Sequence, residues 1–340
     1  ESIMQTLNGN PGFGKKVSAT ISRNGDLVHR CYVKMSATTA PDQDNSLYWI
    51  KECTVEIGGQ QIDKHTGEWM SIWTNLTHAV DKSQALNSMV YKDNNVNNNN
   101  YVPLQFWFCR NPGLALPLIA LQYHEVKVKI EFESLAVLDN NGATGAGLAA
   151  ELWADYIYLD TDERRRFAQV SHEYLIEQLQ YSNKNTGEKI DLNLNHPVKE
   201  LIWTAHPSDT KPSSGTNDGA PYIYADCGKT SLKLNGHDRF AERESAYFRH
   251  VQRYQHHNGF PSAIVTNGDS SPLKRLDVNV YSFALEPEEH QPSGTCNFSR
   301  IDNAQMMFKN PNKSGPMTVF ALNYNILHIM SGMGGLAYSN

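Results

Sequence analysis

The sequence predicts an all-β protein made of two tandem β-sandwiches, with short helices in the connecting loops. Hydrophobic residues make up 40% of the chain and charged residues only 19%, and 23 Gly and 15 Pro supply many turns. Short runs with strand-like alternation recur along the whole chain. At 340 residues, the chain is longer than the roughly 250 to 300 residues that one hydrophobic core usually serves, so two domains are expected.

The first half begins with strand patterns separated by turn residues. Lys16 to Lys34 reads as two strands around Arg23-Asn24-Gly25-Asp26, because Asn-Gly supplies the positive φ angles of a tight hairpin turn. Trp49 to Ile57 alternates like a half-buried strand, and Gly58-Gly59 ends it. We therefore expect a hairpin at the first site and a strand that ends in a turn at the second.

A helix, a loop and further strands follow in the first half. Apolar residues at helical spacing predict a short, core-facing helix from Glu68 to Leu76. The asparagine-rich tract Asn94 to Asn100 predicts a loop. Tyr101 to Arg110 and His124 to Glu133 are strand candidates, the second with clean alternation.

The middle of the chain, Ala154 to Tyr181, reads as a joint. Tyr156 to Leu159 suits a strand, and Asp160 or Thr161 then suits the cap of a helical turn, where Glu163 completes a capping-box pattern with Asp160. Acidic residues also favour a helix N-terminus. The residues from Tyr174 to Leu179 fit either a continued helix or a new strand.

The second half repeats the same succession of short strand patterns and turn residues. A short helix is predicted around Tyr247, Phe248 and Val251. Pro207 to Pro221 has the composition of a loop. The strand candidates are Glu200 to Ala205, Ser231 to Leu234 before Asn235-Gly236, Leu276 to Leu285, and Met317 to Ile329.

Three motif pairs in the same order indicate an internal duplication. Phe106-x-Phe108 and Tyr281-x-Phe283 are each followed by two prolines at identical spacing. Ile57-Gly58-Gly59 matches Leu234-Asn235-Gly236, and Tyr156 and Leu159 match Tyr324 and Leu327. The partners are separated by almost the same length of chain in all three pairs. This nearly constant spacing favours two copies of one β-domain over two unrelated domains.

Charge and cysteine content exclude several classes. A net charge of −6 argues against direct, sequence-independent binding to nucleic acid, which needs clustered Lys and Arg. Five widely spaced cysteines without a CxxC pair predict buried thiols rather than a disulfide framework or a zinc site. No apolar run approaches the ~20 residues of a transmembrane helix, and the first residues do not resemble a secretory signal. The abrupt start leads us to expect further residues upstream.

No side-chain pattern predicts an enzyme, a metal site or a cofactor. His256-His257 lack the spacing that directs two imidazoles at one metal, so hydrogen-bonded loop histidines are expected. The acidic groups around Glu288 and Asp160 resemble paired glycosidase carboxylates only in type, and a cap or solvated turn explains them more simply. Gly332-x-Gly334-Gly335 lacks the Lys-Ser/Thr of a phosphate loop and is expected to allow close backbone packing.

Two sets of residues are candidates for structural or modification sites. Arg164, Arg165 and Arg166 follow the acidic cap, and we expect them to form an ion-pair network that ties the two domains together. Glycosylation sequons occur at Asn75, Asn297 and Asn312. Asn312, between Pro311 and Lys313, is the sequon most expected to be exposed.

Five long motifs resemble the major capsid proteins of nucleocytoplasmic large DNA viruses. The joint, YIYLDTDERRRFAQVSHEYLIEQLQ, resembles this family's mid-chain signature. The other four motifs, in the family's order over almost the whole chain, are EIGGQQIDKH, NPGLALPLIALQYHEVK, YSFALEPEEHQPSGTCNFSRIDNA and NYNILHIMSGMGGLAYSN. The similarity is greatest to capsid proteins of algal and amoebal giant viruses and of iridoviruses.

The resemblance implies a double jelly roll, with a first jelly roll over residues 1–160, a linker turn over 161–171 and a second jelly roll over 172–340. The segment from His172 to Tyr181 is then expected to open the second sandwich as a strand. The resemblance further implies a homotrimeric, pseudo-hexagonal capsomer in the outer icosahedral capsid of the virion, made in the host cell cytoplasm.

Expected partners are neighbouring capsomers, minor capsid proteins and penton proteins. The family's usual N-terminal arm does not precede Glu1. A carbohydrate-binding or carbohydrate-processing β-sandwich is the alternative, because the chain has 6 Trp and 16 Tyr. A sugar platform would place those aromatic residues on exposed loops.

Overall fold

Within the part of the chain that the structure describes, four antiparallel sheets pack as two successive sandwiches. The computed structural model describes residues 1–38, 41, 45–91, 99–139, 147–182, 187–205, 227–259, 278–309 and 316–338. We call the sandwich before the linker the first unit and the sandwich after it the second unit. The prediction of two tandem β-sandwiches is confirmed.

Ten strands form the two sheets of the first unit. Sheet I has the order β1-β10-β4-β7, with β8 beside β4, and sheet II has the order β2-β3-β9-β5-β6. The strands are β1 (Ser2–Gln5), β2 (Leu7–Asn8), β3 (Lys16–Thr20), β4 (Leu27–Ala37), β5 (Ile50–Ile57), β6 (Gln60–Thr66), β7 (Asn99–Pro103), β8 (Leu116–Pro117), β9 (Val126–Phe132) and β10 (Leu148–Ile157).

Ten further strands form the two sheets of the second unit. Sheet III has the order β11-β19-β13-β16, with β17 beside β13 and β20 beside β19, and sheet IV has the order β12-β18-β14-β15. The strands are β11 (His172–Tyr181), β12 (Lys189–Asp191), β13 (Pro197–Ala205), β14 (Lys229–Leu234), β15 (His237–Glu244), β16 (Asn279–Ser282), β17 (Cys296–Asn297), β18 (Ala304–Lys309), β19 (Met317–Met330) and β20 (Met333–Leu336).

The strand orders confirm the internal duplication. When the two-residue strand β2 is left out and the strands are counted from the start of each unit, sheet I (β1-β10-β4-β7) and sheet III (β11-β19-β13-β16) share the order 1-9-3-6. Sheet II (β3-β9-β5-β6) and sheet IV (β12-β18-β14-β15) share the order 2-8-4-5. The two glycine-containing turns join equivalent strands, β5 to β6 and β14 to β15. Gly58 and Gly59 have φ of 58° and 83°, and Asn235 and Gly236 have φ of 49° and 82°. These are the left-handed conformations that a two-residue hairpin turn requires.

Short helices occupy the connections. They are α1 (Gly67–Thr77), α2 (Val80–Val90), α3 (Trp107–Arg110), α4 (Leu135–Leu138), α5 (Thr161–Gln169) and α6 (Gln252–His256), which continues a π-helical turn at Tyr247–Val251. Single 3₁₀ turns lie at Ser46–Trp49, Pro112–Leu114, Leu118–Ala120 and Phe298–Arg300. The predicted helix is confirmed in α1, where the Thr66 hydroxyl accepts a hydrogen bond from Trp69 N at 3.1 Å and caps the first turn. The helix predicted around Tyr247 is also present.

The hairpin predicted between Lys16 and Lys34 is wrong. Both strands exist, but β3 pairs with β2 and β9 in sheet II, whereas β4 pairs with β10, β7 and β8 in sheet I. Residues 21–26 therefore carry the chain from one sheet to the other. Gly25 is needed for a different reason, because a Cβ there would lie 2.7 Å from Cβ of Tyr156. The Tyr156 hydroxyl donates to Ser22 O at 2.6 Å and fixes this crossing.

Other strand boundaries differ from the predictions. The strand expected from Tyr101 to Arg110 ends at Pro103, and α3 follows it. Asn99 and Asn100 belong to β7 rather than to a loop, while residues 92–98 of the asparagine-rich tract lie outside the described residues. The strand β16 covers four residues of the strand predicted over 276–285, and residues 276–277 lie outside the described residues. The loop predicted over 207–221 also lies outside the described residues.

Candidate functional site: the seam between the two units

The two units meet along an apolar seam. Helix α1 of the first unit lies on the outer face of sheet III, and the rings of Trp69 and Phe320 are 5.4 Å apart. The buried side chains of this cluster are Trp69, Ile72, Trp73 and Leu76 from α1, and Leu179, Ile202, Val278, Val280, Phe320 and Leu322 from the second unit. Burying such side chains contributes about 1.5–3 kcal/mol each. The helix face that the sequence predicted to be core-facing thus packs against the other unit.

A buried ion network crosses the seam beside this cluster. Glu177 on β11 lies between Lys199 Nζ, 2.7 Å from its Oε1, and Arg110 Nη1 of the first unit, 2.9 Å from its Oε2. The Lys199 side chain is fully buried and also donates to Pro287 O at 2.5 Å. Burial by itself raises the pKa of Glu177, but the charges of Lys199 and Arg110 outweigh burial and lower that pKa. Glu177 is therefore a buried carboxylate that holds cations from both units.

A second buried network surrounds His257, which follows α6. Its Nε2 lies 3.0 Å from Oε2 of Glu200 and its Nδ1 lies 2.9 Å from Oε1 of Glu288. Since both acceptors are carboxylates, both ring nitrogens donate and the imidazole is protonated. Burial lowers the pKa of His257, but the two carboxylates outweigh it and raise the pKa to about 9. The prediction of a hydrogen-bonded loop histidine is confirmed at His257, and the structure adds that this histidine is a buried cation.

The two networks share one strand irregularity. The pairing of β13 with β19 shifts register between Val198 and Glu200, which places a β-bulge at Lys199. Lys199 and Glu200 are neighbours in sequence, and both side chains are buried and make ion pairs. Lys199 binds the Pro287 carbonyl directly, and Glu200 is linked to Glu288 through His257, so the bulge holds this loop of the second unit at the seam.

The facing strands β6 and β11 add polar contacts. Asp63 Oδ1 accepts a hydrogen bond from Leu179 N at 3.0 Å, and Gln178 Nε2 donates to Ile62 O. His65 Nε2 lies 2.9 Å from Asp63 Oδ2, and both side chains are almost fully buried. These contacts connect the edge of sheet II to the edge of sheet III.

The glycine-rich C-terminal segment closes the other end of the seam. Tyr123 N donates to Gly332 O at 2.9 Å, and His124 Nδ1 lies 2.9 Å from Gly334 O. A Cβ at Gly334 would lie 2.7 Å from Cδ2 of Leu121, and Gly332 has φ of 79°. The expectation that these glycines permit close backbone packing is confirmed, and the packing joins the two units.

The linker helix α5 is capped as the sequence predicts and is tied to the first unit. Asp160 accepts hydrogen bonds from Asp162 N and Glu163 N at 3.1 and 2.9 Å. Arg164 Nε lies 2.9 Å from Oδ1 of Asp26, whose Oδ2 accepts from Leu159 N. The Asp26 side chain is only 6% exposed, and its two oxygens are bound by Arg164 of the linker and by the backbone N of Leu159 just before the linker.

The remaining linker residues of the predicted set lie on the surface. Glu163, Arg165 and Arg166 are exposed. Within the described residues Arg165 and Arg166 form no ion pair, and Glu163 does not return the bond of a capping box. The one ion pair of the three arginines therefore joins the linker to the first unit.

The three sequons have different surroundings. Asn75 lies in α1, where its Nδ2 donates to Ser71 O at 2.9 Å and its backbone oxygen accepts from Arg253. Asn297 is partly exposed and its Oδ1 accepts from Ser299 N at 3.1 Å. Asn312 lies outside the described residues.

The seam also contains an open cavity of about 700 Å³. Its lining includes Tyr32, Trp73, His78, Lys82 and Arg110. Burial and the charge of Lys82 lower the pKa of His78 to about 4, so this histidine is neutral at pH 7.

Five of the six tryptophans are buried, and Trp153 is partly exposed. This distribution differs from the exposed aromatic platform that carbohydrate binding requires.

Sequence reasoning missed the charged residues of the seam. Lys199 and Glu200 lie in β13, which is otherwise almost entirely apolar, and charges inside such a strand are the signal that could have marked them. Glu177 lies in β11 among other polar residues, so its sequence context offers no such signal. No described group of His, Cys, Asp and Glu side chains is arranged to hold a metal ion. Among the described helices, none combines the length and apolar character needed to span a membrane.

Comparisons with known proteins find similarity over the whole chain. Residues 1–160 match the family model "Major capsid protein N-terminus", and residues 163–335 match "Large eukaryotic DNA virus major capsid protein". The major capsid protein of Pyramimonas orientalis virus is 50% identical over all of this chain and 90% of its own length. That of Paramecium bursaria Chlorella virus 1 is 38% identical over all of this chain and 91% of its own length.

Solved structures agree with these matches. The quasi-atomic PBCV-1 virus capsid contains a chain with a TM-score of 0.84 and 37% identity, covering 100% of this chain and 96% of that one. The Faustovirus major capsid protein has a TM-score of 0.73 over 97% of this chain and 90% of its own. Its identity is 12%, so it shows a shared fold.

Proposed function

The chain belongs to the family of major capsid proteins of large eukaryotic DNA viruses, and from this premise we propose that it acts as a homotrimer that forms a pseudo-hexagonal capsomer. Its role is structural, as a capsid protein of the virion, and its fold is the double jelly roll of viral capsid proteins. Capsomers of this kind would tile the outer icosahedral shell.

The repeated strand order carries this proposal. Two sandwiches of equal topology in one chain give six similar sandwiches in a trimer. Such an assembly has closed three-fold symmetry and a nearly six-fold outline, which fits a hexagonal lattice. The seam supports the same function, because its buried aromatic cluster and ion networks would hold the two units of each chain as one building block.

We further propose the domain bounds 1–160 and 172–340, with a linker over 161–171. The linker helix spans Thr161–Gln169, β11 begins at His172, and the family models meet between residues 160 and 163. The Asp26–Arg164 pair would set the direction in which the linker leaves the first unit.

Partners and modification are proposed from the same function. Neighbouring capsomers, minor capsid proteins and penton proteins would contact the trimer, and synthesis would take place in the host cell cytoplasm. Of the sequons, Asn297 has a partly exposed side chain, whereas the Asn75 amide is engaged in α1. Intact-mass spectrometry of virion-derived protein with and without glycosidase tests glycosylation at Asn75, Asn297 and Asn312.

Size-exclusion chromatography with light scattering tests the trimer. At micromolar protein, we expect a mass three times the 38.2 kDa of the chain. Negative-stain images of that peak should show particles with a hexagonal outline. A stable monomer at this concentration would contradict the proposal.

A further inference from the structure

The open cavity at the seam is lined by elements of both units. Helix α2 contributes Lys82 and Met89, which lie on one face of the helix because they are seven residues apart. Strand β4 contributes Arg30 and Tyr32, which lie on the same face of sheet I because they are two residues apart. The loop around Glu288 of the second unit forms a further wall. A molecule bound in this cavity would therefore contact both units.

Much of the cavity wall is apolar. The buried side chains of Trp73, Leu86 and Trp107 line it, together with the partly buried Tyr32 and Met89. The volume of about 700 Å³ lies within the range of roughly 300–1,000 Å³ that is typical of pockets for small organic molecules. The cavity thus has the size and the walls to hold the apolar body of such a molecule.

Two cations in the cavity have no anionic partner among the described residues. Arg30 and Lys82, which we call the cationic pair, both line the cavity, and neither forms an ion pair with a described carboxylate. Burial and the positive charge of Arg30 lower the pKa of Lys82, so the two charges are close enough to repel each other. An anion bound between them would offset this repulsion.

The carboxylates of the cavity wall do not supply that anion. Glu177 and Glu288 are already held by cations of the two buried networks. Asp155 and Glu289 also line the cavity, but within the described part of the chain neither forms an ion pair with the cationic pair. The positive charge of the pair is therefore available to a ligand.

A buried histidine beside the cationic pair also lacks a partner. His78 lies between α1 and α2, lines the cavity and is only 7% exposed. Its Nδ1 has no hydrogen-bond partner among the described residues, and the charge of Lys82 reaches the ring. A neutral imidazole has one N–H group to donate, so Nδ1 can bind an oxygen of an anion held by Lys82.

We propose that the cavity is a binding site for a small organic anion with an apolar body. The cationic pair and His78 hold the acidic group, and the apolar body lies against Tyr32, Leu86 and Met89. All of these residues belong to one chain, so the site does not depend on the proposed trimer.

Fluorescence titration of the full chain with anilinonaphthalene sulfonate tests the site. This probe joins an anionic group to an apolar aromatic body, and its fluorescence rises in apolar surroundings. We expect one saturable site per chain. The uncharged phenylnaphthylamine, which has the same rings without the sulfonate, should bind roughly tenfold more weakly, because it forms no charge-assisted hydrogen bonds.

Four variants separate the acidic-group contacts from the apolar cavity. Lys82→Gln and Arg30→Gln should each weaken binding of the sulfonate roughly tenfold and leave binding of the uncharged analogue almost unchanged. Ala85→Trp should block both probes, since Ala85 is an exposed residue of α2 at the cavity wall. Arg165→Gln is the control, because Arg165 is an exposed cation outside the cavity, and it should bind both probes like the unmodified protein. Circular dichroism checks that each variant is folded.

Competition then identifies the apolar body. Displacement of the probe by naphthoate supports an aromatic body, and displacement by decanoate supports an aliphatic one. Displacement by inorganic phosphate at the same concentrations as both carboxylates would overturn the requirement for an apolar body.

Two further results would overturn the inference as a whole. One is the absence of a saturable site in the unmodified protein, and the other is unchanged sulfonate binding in both folded variants of the cationic pair. Either result would leave the proposed trimer untouched, because light scattering measures the trimer separately.

Discussion

The charge on His257 is the residue-level feature with the clearest energetic consequence. The ring is fully buried, and its two nitrogens face Glu200 and Glu288 at 3.0 and 2.9 Å. Asn258 also donates to Glu288, from its backbone N and its Nδ2. Neutralising the imidazole would leave Glu200 as a buried carboxylate without its cation, which is costly in a low-dielectric interior.

Replacing His257 with Gln should therefore destabilise the protein strongly. Glutamine can donate a hydrogen bond but carries no charge, and we expect a loss of about 3–5 kcal/mol in the free energy of unfolding. Urea denaturation followed by circular dichroism measures it. His256→Gln is the matched control, because the neighbouring His256 is exposed in its hydrogen bond to the Leu285 carbonyl and should change stability by less than about 1 kcal/mol. Equal effects of the two substitutions would contradict the charged role of His257.

The same histidine predicts an alkaline limit of stability. Its pKa is raised in the folded state to about 9 from an ordinary value of 6.5, so its contribution is complete below pH 6.5 and disappears as the pH rises through about 9. The shift corresponds to at most about 3 kcal/mol. Between pH 7 and pH 10, the free energy of unfolding should fall more in the unmodified protein than in His257→Gln. An identical pH dependence in the two proteins would refute the assignment.

The sequence could not reveal this charge. The two carboxylates that face the His257 ring lie 57 and 31 residues away in sequence, so nothing near His256-His257 in the sequence indicates them. Only the fold brings β13 and the loop at Glu288 to the ring. Burial and charge at a single residue therefore depend on contacts that local patterns do not contain.

At the level of elements, the linker helix shows what local sequence does determine. Its start was predicted from Asp160, because a cap bonds to amides two and three residues ahead. The contact of Arg164 with Asp26 was not predictable in this way, since the partner lies on the sheet crossing of the first unit. The three arginines, alike in sequence, consequently differ in environment.

Substitution of the linker arginines should affect assembly more than folding. The replacement of Arg164, Arg165 and Arg166 by Ala is expected to lower trimer yield, because the linker direction is no longer fixed to Asp26. Arg164→Ala alone should account for most of the loss, with Arg165→Ala and Arg166→Ala as matched controls. Light scattering gives the trimer yield, and thermal melting should shift by only a few degrees. Unchanged yield in the triple variant would reject this role.

The incorrect hairpin shows the limit of turn signals. Asn24-Gly25 between two strand patterns is a strong local indicator of a hairpin, yet β3 and β4 belong to different sheets. What decides the path is the packing of Tyr156 on Gly25, together with the hydrogen bond from its hydroxyl to Ser22 O. By contrast, the prediction that Gly58-Gly59 ends a strand is confirmed, since the chain turns there from β5 into β6.

At the level of the whole molecule, the duplication was visible in sequence and the seam was not. Two of the three matched motif pairs fall on equivalent elements, namely the glycine-containing turns and Tyr156 with Tyr324 on β10 and β19, so the repeated architecture could be predicted. In the third pair, Phe106 follows β7 whereas Tyr281 lies within the equivalent strand β16. Because the contact between the two units has no second copy within the chain, it leaves no repeated motif in the sequence from which it could be predicted. Trp69 and Trp73 were correctly expected to be buried, but an apolar helix face does not show which unit covers it.

The seam should make the two units unfold together, and Glu177 is the residue on which to test this. Glu177→Gln removes the charge that neutralises Lys199, which is fully buried, and Arg110 of the other unit. Because breaking a buried ion pair leaves an uncompensated charge, we expect a loss of about 3–5 kcal/mol. Calorimetry should show that the single unfolding transition of the unmodified protein broadens or splits in Glu177→Gln as the units uncouple.

Glu173→Gln is the control, since Glu173 lies on the same strand in an exposed pair with His328 and should leave the transition unchanged. A sharp, single transition at the original temperature in Glu177→Gln would show that the apolar cluster alone couples the units.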